Sequence, residues 1–314
     1  MLCQVTFFSN IFYLLSIKII QLSFTISQDI DGPLYVYYGL ENFYQNHRLY
    51  VKSQSVSQLL GKPIVDMAAL ERDCTAAVYT NPAGGPYLSK AVPGSKLLYP
   101  CGLIANSLFN DQFTLFSSPP GKTMDETNIA WASDFKKFNN PESSKVVQAS
   151  SAASCASVGL PSDCQDTTYT PPGGSPQNYK YWYPNMNSYS YLWDRYPNIV
   201  SPVEGMQNEH FMVWMRTAAL PTFRKLYGTV QGPFKKGTTL TFFTISDFDV
   251  RSFGGSKSLI ISTLSSIGGR NSYIGTAFIV VGSLALLLTL LFVLKHLTGE
   301  RRRMGDTNLL RWED

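Results

Sequence analysis

The chain has 314 residues, 44% of them hydrophobic and only 15% charged, which supplies a core for one large or two ordinary domains and excludes a wholly disordered chain. Low charge with abundant Tyr, Phe, Ser and Thr favours β-rich structure. The formal net charge of +4 is modest, and no Lys/Arg stripe is interleaved with aromatics, which excludes a nucleic-acid surface.

The first apolar run, Val5 to Ser27 (VTFFSNIFYLLSIKIIQLSFTIS), holds Lys18 inside it and has no basic residue ahead of it. A cleaved signal peptide begins with a positive region, so residues 1–27 are read as an atypical first membrane span whose Lys18 snorkels to the headgroups. Residues 28–272 then form an extracytoplasmic domain. Within it Leu34–Tyr38, Phe211–Met215, Thr238–Ile245 and Ser258–Leu264 are short, rich in β-branched and aromatic residues, and bounded by Gly, Pro or Asp, as strands are. Gly254-Gly255 supplies a turn between the last two. Helices are expected over Glu41–Gln54 and just after Pro221. Asn139 to Asn187, dense in Ser, Pro, Gly and Asn, reads as a long surface loop. These elements describe an antiparallel, sandwich-like β-rich domain with minor helices.

Tyr273 to Leu294 (YIGTAFIVVGSLALLLTLLFVL) is 22 residues without a charged side chain, long enough to cross the roughly 30 Å of a bilayer core. Lys295, His296 and Arg301 to Arg303 follow it, so the positive-inside rule places residues 295–314 in the cytoplasm as a basic tail. Gly275, Ala277, Gly282 and Ala285 would let a partner helix approach closely; the alternative is that they are filler facing lipid.

Cys74, Cys101, Cys155 and Cys164 lie in the segment placed outside the cytoplasm, where disulfides form. Four cysteines allow three connectivities. A bridge between Cys155 and Cys164 would staple the long loop. Zinc is disfavoured: there is no CxxC pair, and His47, His210 and His296 are far apart. Gly121-Lys122-Thr123 lacks the upstream glycine of a phosphate loop, and no GxSxG or HExxH occurs. The run Asn42 to Arg48 (NFYQNHR) reads as a hydrogen-bonded network among aromatics. Arg216 is expected to pair with a carboxylate or stack on Trp214. No cofactor is expected.

Five blocks, in order, resemble one family: ENFYQNHRLYVKS from Glu41, PCGLIANSLFND from Pro100, Ile129-Ala130-Trp131, EHFMVWMRTAALPTFRKLYG from Glu209, and FGGSKSLIISTLSSIGGRN from Phe253. It is the cell-division-cycle protein 50 / ligand-effect modulator 3 family, the beta subunits of phospholipid-flipping type IV P-type ATPases. The resemblance implies two membrane spans flanking a large β-rich ectodomain, both termini in the cytoplasm, and a role rather than a reaction. Such subunits bind the catalytic ATPase in the endoplasmic reticulum and support its export to the Golgi, endosomes or plasma membrane and its transport of aminophospholipids. It also implies a disulfide between Cys74 and Cys101; the pairing of Cys155 with Cys164 rests on parity and proximity. Asn46, His47, Arg48, Trp214 and Arg216 are its motif residues here.

The chain departs from the family pattern in three places. Residues 1–33 match neither its longer cytoplasmic N-terminus nor its clean first span. Arg48-Leu49 stands where the family has two arginines. Asn110-Asp111-Gln112 replaces a glycosylation site, and no N-x-Ser/Thr sequon occurs, so Asn-linked glycans are not expected. The reading is therefore a non-enzymatic flippase subunit whose partners are a type IV P-type ATPase and membrane lipids. The alternative is a free-standing surface-binding or adhesion protein.

Overall fold

A computed structural model describes residues 2–7, 19–117, 121–265, 268–269 and 272–298. Two compact units divide the chain, Met1–Leu264 and Ser265–Asp314.

The first unit begins with strands β1 (Leu2–Phe7), β2 (Ile19–Thr25) and β3 (Leu34–Glu41), followed by the short helices α1 (Arg48–Lys52), α2 (Val56–Leu59) and α3 (Met67–Cys74). Then come β4 (Leu97–Tyr99), β5 (Gln112–Ser117), β6 (Met124–Asp125), β7 (Lys145–Gln148), β8 (Gln165–Tyr169), β9 (Gln177–Trp182) and β10 (Tyr189–Tyr191). Helices α4 (Leu192–Arg195) and α5 (Glu209–Met215) precede the last long strands, β11 (Phe223–Val230), β12 (Thr239–Ile245) and β13 (Ser256–Ser262).

One sheet has the order β1-β13-β3-β11-β6 and another β2-β12-β5, all antiparallel. Their inner faces share one core: Val36 and Tyr38 of β3, Tyr227 of β11 and Leu259 of β13 join Phe24 of β2, Phe113 of β5 and Phe242 of β12. Phe113 meets Tyr227 edge-on, ring centroids 4.9 Å apart, which ties the sheets directly. The alternation in β3 makes this possible, since Leu34, Val36, Tyr38 and Leu40 all point inward.

The expected strands at Leu34, Thr238 and Ser258 are present as β3, β12 and β13. Five expectations are corrected. The N-terminal run is not one membrane-spanning helix, because Leu2–Phe7 pairs with β13 and Ile19–Thr25 with β12. Leu22, Phe24 and Ile26 are buried while Gln21, Ser23 and Thr25 face out, a period of two that serves a sheet and not a helix. Lys18 lies outside the described residues. Phe211–Met215 is helical: Asn208 Oδ1 accepts the Phe211 N–H at 3.0 Å as an N-cap, and Phe211, Met212, Trp214 and Met215 bury a helical stripe. The helix expected over Glu41–Gln54 shrinks to α1, because Asn42 takes φ +60° and its side chain bonds the Phe253 carbonyl at 2.7 Å. The chain after Pro221 is strand β11. Lastly, Asn139–Asn187 contains a three-stranded sheet, β7-β9-β8, whose tight turn is Pro171 to Gly174.

In the second unit Ser272–Thr298 is one helix, α6, of 27 residues. Its stretch Gly275–Thr298 is apolar and long enough to cross a bilayer, and none of that window is buried. Arg301 to Arg303 and the rest of the tail beyond Thr298 lie outside the described residues.

Candidate functional site: a hub joining the motif blocks

The motif blocks, distant in sequence, converge on Phe43. Its ring lies 5.2 Å from Phe253, 5.7 Å from Trp214, and 5.9 Å from both Tyr50 and Phe248. Trp214 is fully buried and donates its indole N–H to the Ile104 carbonyl at 2.8 Å. Thus α5 is keyed to the block that begins at Pro100. Tyr50 shares a 2.7 Å hydrogen bond with Ser107 and closes the same contact from α1.

Around the Cys74–Cys101 disulfide, Cα–Cα 5.7 Å, both sulfurs are buried. Gln58 accepts the Cys101 N–H at 2.8 Å, and Ser53 Oγ donates to the Cys74 carbonyl at 2.6 Å while accepting the Leu103 N–H. Gly102 sits here at φ +103°, and a Cβ would meet the Ser53 carbonyl oxygen at 2.2 Å; only glycine fits this crossing. The second disulfide, Cys155–Cys164, spans 5.9 Å between Cα atoms and is part-exposed.

The buried ionisable groups of the blocks are engaged by the fold. Lys257 and Asp111 form a buried pair at 2.6 Å, and the Asp247 and Phe248 amides also donate to Asp111. Burial pushes the Asp111 carboxyl up, and Lys257 with those amides pulls it back. Lys225 donates to the carbonyls of Val213, Trp214 and Arg216, capping the C-terminus of α5. Burial pushes Lys225 down to about 7, and its three acceptors oppose that by favouring the ammonium. Glu209 accepts the Asn128 and Ala130 amides at 2.9 Å each.

Arg216 ion-pairs through Nε with Asp134, whose side chain is buried, and lies 5.0 Å over the ring of Trp131. It therefore stacks on Trp131 rather than on the expected Trp214, which instead carries the Lys225 ammonium 5.0 Å from its centroid. Asn46 donates to the Ala219 carbonyl at 2.9 Å, and the Ala218 amide donates to the buried Gln45 at 3.0 Å. His47 and Arg48 face solvent. The network expected for NFYQNHR thus ends at Asn46. Gln58, Lys225 and Asp134 carry no local signal in the sequence, because only the fold brings them to Cys101, to the end of α5 and to Arg216.

An open cleft of about 830 Å³ passes His210, Glu126, Glu204 and Glu209. Its polar groups are also engaged: His210 Nε2 meets Glu126 at 2.9 Å, and Tyr169 and Asn208 donate to Glu204. Lys122 of the Gly121-Lys122-Thr123 run donates to the Gly232 carbonyl at 2.6 Å. On α6, Gly275, Gly282 and Ala285 fall within roughly 80° of one face at about 100° per residue, while Ala277 sits about 160° from Gly275.

A disulfide-stapled β domain ordered around an aromatic hub, followed by one exposed apolar helix, defines a membrane protein whose buried charged groups serve its architecture. The sequence model of the LEM3 (ligand-effect modulator 3) family / CDC50 family matches residues 15–302, and the chain belongs to that family. It is 34% identical over 296 residues to ALA-interacting subunit 3 of Arabidopsis thaliana, covering 94% of this chain and 68% of the relative. It is 36% identical over 276 residues to human cell cycle control protein 50B, covering 84% and 66%. It is 31% identical over 294 residues to the phospholipid-transporting ATPase accessory subunit CDC50 of Chaetomium thermophilum, covering 92% and 62%. The chain thus spans about two-thirds of the length of these relatives.

Proposed function

We propose that this chain is a non-catalytic accessory subunit of a phospholipid-transporting P-type ATPase. The observation that carries this reading is the family match over residues 15–302, joined to the name of the fungal relative as an accessory subunit. The geometry supports it, because the charged groups of the motif blocks described above are committed to carbonyls, amides or each other instead of facing a reacting centre. The β domain lies on the lumenal or extracellular side, α6 crosses the membrane, and Gly275, Gly282 and Ala285 form the face that lets a helix of the catalytic subunit approach. Ala277 is outside that face. By binding the folded pump and not its unfolded chain, the subunit stabilises it by mass action and so favours its exit from the endoplasmic reticulum. By binding one transport state better than another it also shifts turnover.

The experiment co-expresses ATPases of the same organism with and without this chain and measures surface delivery, phosphoenzyme level and aminophospholipid uptake. All three rise with the right partner. No change with any ATPase, and none co-purifying, returns the chain to the class of free-standing surface proteins.

A further inference from the structure

We propose that Thr170 and Ser175, on the turn between β8 and β9, are O-glycosylation sites whose hydroxyls take a neutral sugar from an activated-sugar donor of the secretory pathway; this rests on the lumenal or extracellular placement of the β domain given above. Tyr169 pairs with Gln177, so residues 170–176 (TPPGGSP) are the tip of the hairpin. The tip stands on a fixed base. Cys164 is bridged to Cys155 just ahead of β8, the Tyr169 hydroxyl donates to Glu204, and the Gly174 amide closes the turn on the Pro171 carbonyl at 2.9 Å.

Thr170 and Ser175 are both exposed, each is followed by proline, and neither hydroxyl is hydrogen-bonded among the described residues. Proline holds the residue before it extended, so the acceptor enters a transferase cleft without unfolding and with little ordering cost. Neighbouring hydroxyls are less available. Thr168 donates to Asn178 Oδ1 at 3.0 Å, Ser157 donates to the Ser154 carbonyl, and Ser201, which also precedes a proline, is half-buried and accepts the Val203 amide. Space around the tip is open: a Cβ built on Gly173 meets nothing within 4 Å, and Thr170 borders the cleft of about 830 Å³.

In the transfer the Thr or Ser oxygen attacks the anomeric carbon of the donor and forms the glycosidic bond. The bond from that carbon to the donor's phosphate breaks, its electron pair leaves with the nucleoside diphosphate or polyprenyl phosphate, and the hydroxyl proton passes to a base of the transferase. Charge selects a sugar over a phosphate. Asp125, Glu126, Glu204 and Glu209 line the cleft beside Thr170 against Lys122 and His210, so a phosphate there would meet like charge, and a neutral sugar does not. Because the chain has no N-x-Ser/Thr sequon, any sugar it carries reports attachment of another kind.

The test expresses the full chain in cells of its own organism, purifies it from membranes, reduces it and digests it with trypsin. No Lys or Arg lies between Lys145 and Lys180, so Val146–Lys180 leaves as one peptide holding both acceptors and the serines of the preceding loop. Mass spectrometry should find this peptide heavier by one or more sugar residues, and fragmentation that spares the glycosidic bond should place them on Thr170 or Ser175. Thr170→Ala with Ser175→Ala should return the peptide to its unmodified mass, with the Cys74–Cys101 bridge intact as the check on folding. An unmodified wild-type peptide, or phosphate in place of sugar, overturns the proposal. Sugar confined to Ser150–Ser157, or retained in full by the double variant, overturns the assignment to the hairpin tip. Recovery of the ATPase from the same membranes reads the accessory-subunit proposal separately, so an unmodified peptide beside a co-purifying ATPase sinks the glycan alone.

Discussion

Cys74 and Cys101 are buried with Leu70, Val78 and Leu98, and the Cys74 carbonyl, the Leu98 carbonyl and the Cys101 amide are tied to the side chains of Ser53 and Gln58. Cys155 and Cys164 are part-exposed and close a loop of nine residues beside a sheet whose outer strands, β7 and β8, each pair only with β9. The first region is held by burial that many segments share. The second is held by local hairpin pairing, a short staple, and a few anchors such as the Lys180–Asp166 ion pair and the Tyr169–Glu204 hydrogen bond. Loss of one contact should therefore spread through the hub and stay confined in the hairpin region.

The largest expected effect is at the hub. Trp214→Ala removes a fully buried indole, its bond to Ile104 and a ring that both Phe43 and Lys225 use. It should destabilise the domain by about 3–5 kcal/mol, read as a lower denaturation midpoint with an unchanged slope. Loss of less than about 1 kcal/mol would show that the blocks are not energetically coupled. Next is removal of the buried bridge. Cys74→Ala with Cys101→Ala should cost about 2–5 kcal/mol.

Cys155→Ala with Cys164→Ala sharpens the contrast. Loop-closure entropy alone separates the two bridges by only about 1 kcal/mol, their separations being 27 and 9 residues. Local opening widens the gap: the global midpoint should hardly move, while amide exchange in β7, β8 and β9 accelerates. Equal global losses for the two bridges would mean that the hairpin region unfolds with the hub.

The same contrast explains what was legible in the sequence. Strands β3, β12 and β13 show in composition, and α6 shows in length and lack of charge. The alternation Leu22, Phe24, Ile26 was present too, but the apolar residues before it and Lys18 within the run made it resemble a poor span. Phe211–Met215 has strand-like composition, and only the Asn208 cap with the spacing of Phe211, Trp214 and Met215 reveals a helix. The Asn139–Asn187 stretch has loop composition because its strands are mostly exposed. The hub could not be read locally: Phe43 and Phe253 are adjacent only after the sheet forms, and Lys225 finds its three carbonyls only when α5 ends beside β11. Asp134 offered no signal, since its worth depends on Arg216 far along the chain.

Asp134 gives a small effect with a pH signature. Burial alone would raise its carboxyl, but Arg216 and Lys137 outweigh burial and hold it below the ordinary 3.8. The folded chain therefore binds this proton less readily than the unfolded chain. Its stabilisation is fully present above the unfolded value and is lost as pH falls through the folded one. Arg216 is half exposed, so water screens the pair, and Asp134→Asn should cost only about 1 kcal/mol at pH 7. The gap between wild type and Asp134→Asn should narrow as pH falls below about 4, and added salt at pH 7 should narrow it further. A gap that persists unchanged at pH 3 would assign the loss to local packing instead of to charge. In the hairpin region Asp166→Asn removes the partner of Lys180, and its effect should appear in local amide exchange and leave the global midpoint in place.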